Sequence, residues 1–180
     1  MPKKIKVRSK KRIKAFGEVF TPMRLCREMI RKALKDDDGK KTVLEPSFGN
    51  GNFILAILHE RLQCSKVSNL PHEALQTIYG VELQQDNVEE AHERILNYVR
   101  LWCKKYVLFP DSQTGLINGK DVDTVFEERG VELMKDTRFL FGGDLESYLS
   151  KVKAILQYNL VQGDILAMDL NGPWPGVIPK

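Results

Sequence analysis

Cysteine, histidine and long apolar runs are all scarce in this chain of 180 residues. The three cysteines, Cys26, Cys64 and Cys103, are odd in number and far apart. They make neither a disulfide framework nor a zinc pattern, and they suit a reducing compartment. His59, His72 and His92 are equally scattered, so no metal site is expected. No stretch approaches the roughly 18 apolar residues that a membrane-spanning helix needs. The charged N-terminus has no apolar segment behind it, which excludes a secretory leader and points to the cytoplasm. What remains is a globular chain, 42% hydrophobic and 29% charged, with enough residues for one core.

Acidic side chains are missing from the first fourteen positions, MPKKIKVRSKKRIK. Eight basic ones stand there: Lys3, Lys4, Lys6, Arg8, Lys10, Lys11, Arg12 and Lys14. The other twenty basic residues face all 24 acidic ones, so the body is about four charges negative while the whole chain is +4. Such an arm can neutralise several phosphates of a nucleic acid, in a salt-dependent manner but without sequence specificity. A flexible, solubilising terminus has the same composition.

Beyond the arm, Thr21-Pro22 starts a predicted helix running to about Lys35, with the hydroxyl as cap and proline at the first helical position. Thr42–Glu45 reads as a strand, 52–63 as a helix, and 77–83 as a second buried strand. Pro71 opens a short helix through 72–76, and Asp86 leads a long amphipathic helix to about Lys104. The stretch 105–145 is dominated by loop signals, with one short helix expected at 122–129. A weak helix at 145–157 precedes a third strand at 159–161, and the chain closes on the proline- and glycine-rich DLNGPWPGVIPK. Helices alternating with strands predict an α/β fold, a partial doubly wound sheet with at least three strands.

Each of the three strands ends near an acid: Glu45, Glu82 and Asp164. Open α/β sheets bind ligands at such carboxyl ends. Between Glu45 and Phe53 lies Pro46-Ser47-Phe48-Gly49-Asn50-Gly51-Asn52, whose glycines allow left-handed angles and a close approach of ligand to backbone. A dinucleotide fingerprint needs a third glycine where Ile54 stands, and a phosphate-binding loop needs Gly-Lys-Ser/Thr; both are absent. Glu45 repels phosphate and attracts an amine. Glu82 suits ribose hydroxyls, and Asp164 with Ile165 or Leu166 suits an exocyclic amine and a ring face. A nucleoside with a cationic tail meets all three demands, and S-adenosylmethionine is one. Taken singly, the turn also serves as a plain strand-to-helix corner, Glu82 as a surface acid and Asp164 as a turn cap.

Four segments together resemble the amino-group (adenine-type) DNA methyltransferases of restriction–modification systems and their phage relatives. They are Phe16-Gly17-Glu18-Val19-Phe20-Thr21-Pro22, the turn from Glu45 to Phe53, Tyr79-Gly80-Val81-Glu82 with Ala91 and Arg94, and Gly163-Asp164-Ile165-Leu166. The resemblance implies a Rossmann-like methyltransferase fold binding S-adenosyl-L-methionine through Phe20, Thr21, Pro22, Glu45, Pro46, Gly49, Gly51, Phe53, Glu82, Asp164 and Ile165. It implies DNA as partner, in a bacterial or phage-infected cell. Residues 1–15 then form a basic flexible arm, and 16–180 a cofactor-binding domain with an irregular insert at about 105–145. The family's Asp/Asn-Pro-Pro-aromatic catalytic loop has no match. Asn171-Gly172-Pro173-Trp174 is a faint echo, which leaves Asn171 and Trp174 as the only catalytic candidates. The chain resembles the cofactor-binding half of such an enzyme, completed by a second subunit or a second copy. A catalytically inactive accessory protein on the same scaffold, or methylation of RNA or protein, is the alternative.

Overall fold

Three short parallel strands form the centre of the molecule, in the order β1, β2, β5. The structure is a computed structural model describing residues 10–16, 18–35, 37, 39, 41–63, 70–108, 116–117, 120–121, 145–169 and 171–176. Along the chain stand α1 (Lys10–Phe16), α2 (Met23–Ala33), β1 (Val43–Glu45), α3 (Asn52–Gln63), α4 (Pro71–Leu75) and β2 (Ile78–Glu82). They are followed by α5 (Gln85–Leu108), a two-residue hairpin of β3 (Leu116–Ile117) and β4 (Lys120–Asp121), α6 (Leu145–Asn159) and β5 (Leu160–Gln162). The three strands expected from the sequence are the three of the parallel sheet. Within the predicted insert, α5 runs on to Leu108 and the small hairpin forms; the expected helix at 122–129 lies outside the described residues.

Both crossovers, β1 to β2 and β2 to β5, step across the sheet in the same direction. Right-handed connections therefore place α3, α5 and α6 on one face. The alternation of side chains agrees. Val43, Ile78 and Leu160 face these helices and join their core, whereas Leu44 and Tyr79 face away. Helix α3 is apolar almost all round because it is enclosed: Ile54, Leu55, Ala56, Ile57 and Leu58 are all buried. Arg61 at its far end is 2% exposed yet fully used. It pairs with Asp37 at 3.0 Å and donates to the Lys41 and Ala74 carbonyls and the Thr77 hydroxyl, tying the starts of β1 and β2 together.

Two boundaries differ from expectation. Pro22 sits at the N-cap of α2 and not inside it, and the Thr21 hydroxyl makes no cap. Instead the Thr21 carbonyl accepts from the Asn52 side-chain amide at 2.8 Å and from the Cys26 thiol, so this segment is fixed by α3 as well as by its own helix. Residues 10–15 of the expected flexible arm are helical, within α1; residues 1–9 lie outside the described residues.

Candidate functional site

Strand register sets the positions of the acids. Glu45 lies beside Gly80, and Glu82 lies beside Gln162, so β2 ends two residues beyond β1 and level with β5. At about 3.3 Å per residue this is a step of about 6–7 Å. Glu45 and Glu82 project from the helix-covered face, one step apart, and Asp164 follows two residues beyond Gln162. The three acids gather at one end of the sheet, as a staircase and not a row.

Between the first two steps folds the glycine turn. Phe48 is buried and lies over Gly80 so closely that a Cβ there would meet the ring at 2.6 Å. A glycine inside a strand marks such an approach. Gly49 (φ +54°) and Gly51 (φ +86°) both take left-handed angles. A Cβ on Gly49 would come within 3.1 Å of the Phe20 ring, and one on Gly51 within 3.0 Å of Ala91 Cβ. Phe20 thus roofs the turn while α5 supports it from below. Arg94 on α5 donates to the Asn50 carbonyl and, at 2.7 Å, to Asn52 Oδ1. Burial pulls its pKa down, with Glu90 acting in the opposite sense.

Glu82 is only 6% exposed. Its Oε2 accepts from the Gly49 N–H at 2.9 Å, and its Oε1 accepts from the Gln84 N–H at 2.9 Å and the Asn87 side-chain amide at 3.3 Å. A carboxylate offers about four lone-pair sites, so a free acceptor position remains on Oε2. That fits one hydroxyl of a sugar; a second would displace an existing donor. Asn87, itself buried, also donates at 2.7 Å to Glu18, which accepts from Arg12 as well.

Glu45 is partly buried and holds only a long 3.4 Å bond from the Ser47 N–H, so desolvation raises its pKa. A cation placed there would restore the ionised form. Asp164 Oδ1 accepts from the Leu166 N–H at 3.0 Å, a turn cap at the end of β5; Ile165 is half-buried beside it. Carboxylates from Glu45, Glu82 and Glu90 surround the turn, and the nearby guanidinium of Arg94 is spent on the loop. This arrangement favours a cationic or neutral ligand over a phosphate.

Phe20, Thr21, Gly49, Gly51 and Glu82 are brought together. Pro22 and Pro46 flank this group in the chain, and Phe53 packs against the core below it. Asn171 and Trp174 are elsewhere. The Trp174 indole N–H donates at 2.6 Å to the Tyr158 carbonyl, just before β5 begins, and its ring meets Tyr79 edge-on at 5.0 Å. The tail therefore runs back along the open face of the sheet to the opposite end. Along that face it borders a cavity of about 280 Å³ lined by Leu44, Tyr79, Met168 and Trp174. Asn171 is exposed, and its N–H is held by Asp169. Lys10 and Lys14 are exposed on α1, whereas Arg12 turns inward; Lys3, Lys4, Lys6 and Arg8, with the Lys11 side chain, lie outside the described residues.

Glu18, Phe48 and Asn87 belong to the site although their residue types gave no direct sign of it. Gly80 inside a strand was the available signal for Phe48; a buried amide on a long helix leaves none for Asn87. Among the described residues no group of acids, histidines and cysteines could hold a metal ion, and no helix is long and apolar enough to cross a membrane. The molecule is thus an α/β domain with a parallel three-stranded sheet flanked by helices, of generic Rossmann-like topology; no protein-family model, curated protein or solved structure matches the chain.

Proposed function

We propose that this chain is the S-adenosylmethionine-binding part of an amino-group DNA methyltransferase. One observation carries the reading: a buried carboxylate at the end of the middle strand holds a left-handed glycine turn by its backbone, under the Phe20 roof. That couples an acceptor for ribose to a loop that admits a ligand against its backbone. Glu45, desolvated and short of donors, would hold the ammonium end. Asp164 and Ile165 would meet the adenine moiety of the cofactor. When bound, the cofactor supplies an electrophilic methyl group.

The roles of this chain are to bind and to orient. Phe20, Thr21 and Pro22 would wall the methionine end and exclude water, and Glu82 would fix the ribose. Transfer to an adenine amino group requires the base to leave the duplex, and rate enhancement would come chiefly from alignment. The test is methyl transfer from radiolabelled S-adenosylmethionine to duplex DNA, with calorimetric binding measured alongside. Label recovered in adenine supports an enzyme, and binding without transfer supports a cofactor-binding part alone.

The position of Trp174 favours the second reading, a methyltransferase-like accessory protein that binds the cofactor without turning it over. With its indole committed to Tyr158 and Tyr79 at the far end of the sheet, Trp174 is a packing residue.

A further inference from the structure

We propose that the outer face of α2 is a docking surface for the phosphodiester backbone of duplex DNA. Along residues 23–35 stand five basic side chains, Arg24, Arg27, Arg31, Lys32 and Lys35, and one acid, Glu28. The chain beyond residue 14 is about four charges negative, so this face opposes the rest of it in sign. Arg24, Arg27 and Arg31 fall three and four residues apart, which aligns them on one side of the helix over about 10 Å. That is the axial rise of about three nucleotide steps. Cys26 and Ile30, on the other side, are buried where α2 packs on α3, so the row points outward.

Each guanidinium of the row keeps donors for an anion. Arg24 donates through Nε to Glu28 at 3.1 Å, and Arg31 through Nε to Glu60 at 2.9 Å, which leaves their terminal nitrogens free among the described residues. Arg27, between them, is claimed by no carboxylate among the described residues. Like charges at these spacings repel one another. Arg24 also stands in the first turn of α2, which has no acid and no side-chain cap, so its charge opposes the helix dipole. Phosphates along the row would remove both costs, and the guanidinium fork matches them. The apolar side of α2 is already spent on α3, which leaves none to insert into a membrane. The row begins one turn after Phe20 and Thr21, at the glycine turn, so a duplex lying on it leads to the candidate site. Such contacts position a duplex without reading its sequence. The surface adds to the methyltransferase reading without resting on the methyl donor: loss of S-adenosylmethionine binding would leave it intact.

The experiment measures anisotropy of a fluorescein-labelled mixed-sequence DNA duplex of about 20 base pairs across a salt series. The triple variant Arg24→Gln/Arg27→Gln/Arg31→Gln is expected to bind about tenfold more weakly or worse at low salt. Its slope of log K against log salt should be shallower by about 2.7, three phosphate contacts. Arg100→Gln/Lys151→Gln/Lys153→Gln removes the same charge from α5 and α6 and is expected to keep the wild-type slope. Equal slopes in the two triple variants would overturn the surface, as would no duplex binding by the wild type at low salt. So would a first triple variant that loses binding to phosphatidylserine vesicles but not to the duplex. If that variant loses helicity by circular dichroism, Arg27→Gln decides, because it strands no carboxylate. A slope shallower by about 0.9 supports the surface, and an unchanged slope in the folded variant contradicts it.

Discussion

The Gly49 N–H and a Glu82 carboxylate oxygen lie 2.9 Å apart, joining the glycine turn to the end of β2, 33 residues on in sequence. This bond makes the glycine turn and the middle strand a single unit. Glu82→Gln keeps the shape but removes the charge that strengthens three incoming donors. A hydrogen bond to a charged group contributes about 1.5–3 kcal/mol, so a loss of that order is expected in urea denaturation. Amides of Gly49 and Gln84 should also exchange faster in the variant. Unchanged stability would mean that the turn is held by Phe20 and Arg94 alone.

The ring of Phe48 occupies the place of a side chain at position 80. Gly80→Ala should therefore destabilise by about 1–3 kcal/mol through overpacking. Phe48→Leu in the same molecule should recover part of that loss, a coupling read from a double-mutant cycle. Strict additivity would contradict the packing.

Glu45 sits where burial opposes its charge. Its folded-state pKa is raised, so the folded state holds its proton more firmly than the unfolded chain does. That contribution favours folding below the ordinary carboxylate range and is lost as pH rises through the folded value. At neutral pH, Glu45→Gln should accordingly stabilise the ligand-free protein, by about 0.5 kcal/mol after solvent screening. The same substitution should weaken binding of a cationic nucleoside. Thermal melts with and without ligand separate the two effects, and a variant that loses stability without ligand would refute the assignment.

His92 behaves in the opposite sense. Its ring is partly buried and bonded to the Leu160 carbonyl at 3.0 Å, and desolvation lowers its pKa. The unfolded chain then binds the proton more readily, so stability is present above about pH 6.5 and falls as pH drops through the folded value. His92→Gln should flatten this part of the stability profile between about pH 7 and 5. A profile identical to wild type would show that other groups cause it.

Trp174 tests the position of the tail. Trp174→Phe retains an aromatic ring against Tyr79 but loses the indole bond to Tyr158, which should lower stability by about 1 kcal/mol. Binding of S-adenosylmethionine should not change. Weaker binding in a folded variant would return Trp174 to the functional site.

The contrast between strands and loops explains what was legible in the sequence. Val43–Glu45, Ile78–Glu82 and Leu160–Gln162 are short apolar runs ending at polar turn residues, so local chemistry marks them. Their acids followed directly, because strand ends set where ligands meet a sheet. Register is a long-range property, and the staircase of Glu45, Glu82 and Asp164 depends on pairings across more than thirty residues. Asn87 was hidden for the same reason, since its importance comes from two carboxylates it joins and not from its helix. At Thr21 the local rule misled: a Thr-Pro pair fits a capped start, but Asn52 of α3 claims the carbonyl and sets the entry of α2. The glycines at 49 and 51, expected to allow left-handed angles, adopt them, and the Phe20 ring lies over Gly49.

The most direct test of the central claim is calorimetric titration of the intact, folded chain with S-adenosylmethionine, next to Glu82→Gln verified as folded by circular dichroism. The account predicts saturable one-to-one binding to the wild type, weakened at least tenfold in the variant. Absence of binding to the wild type, or equal affinity in both proteins, would contradict it.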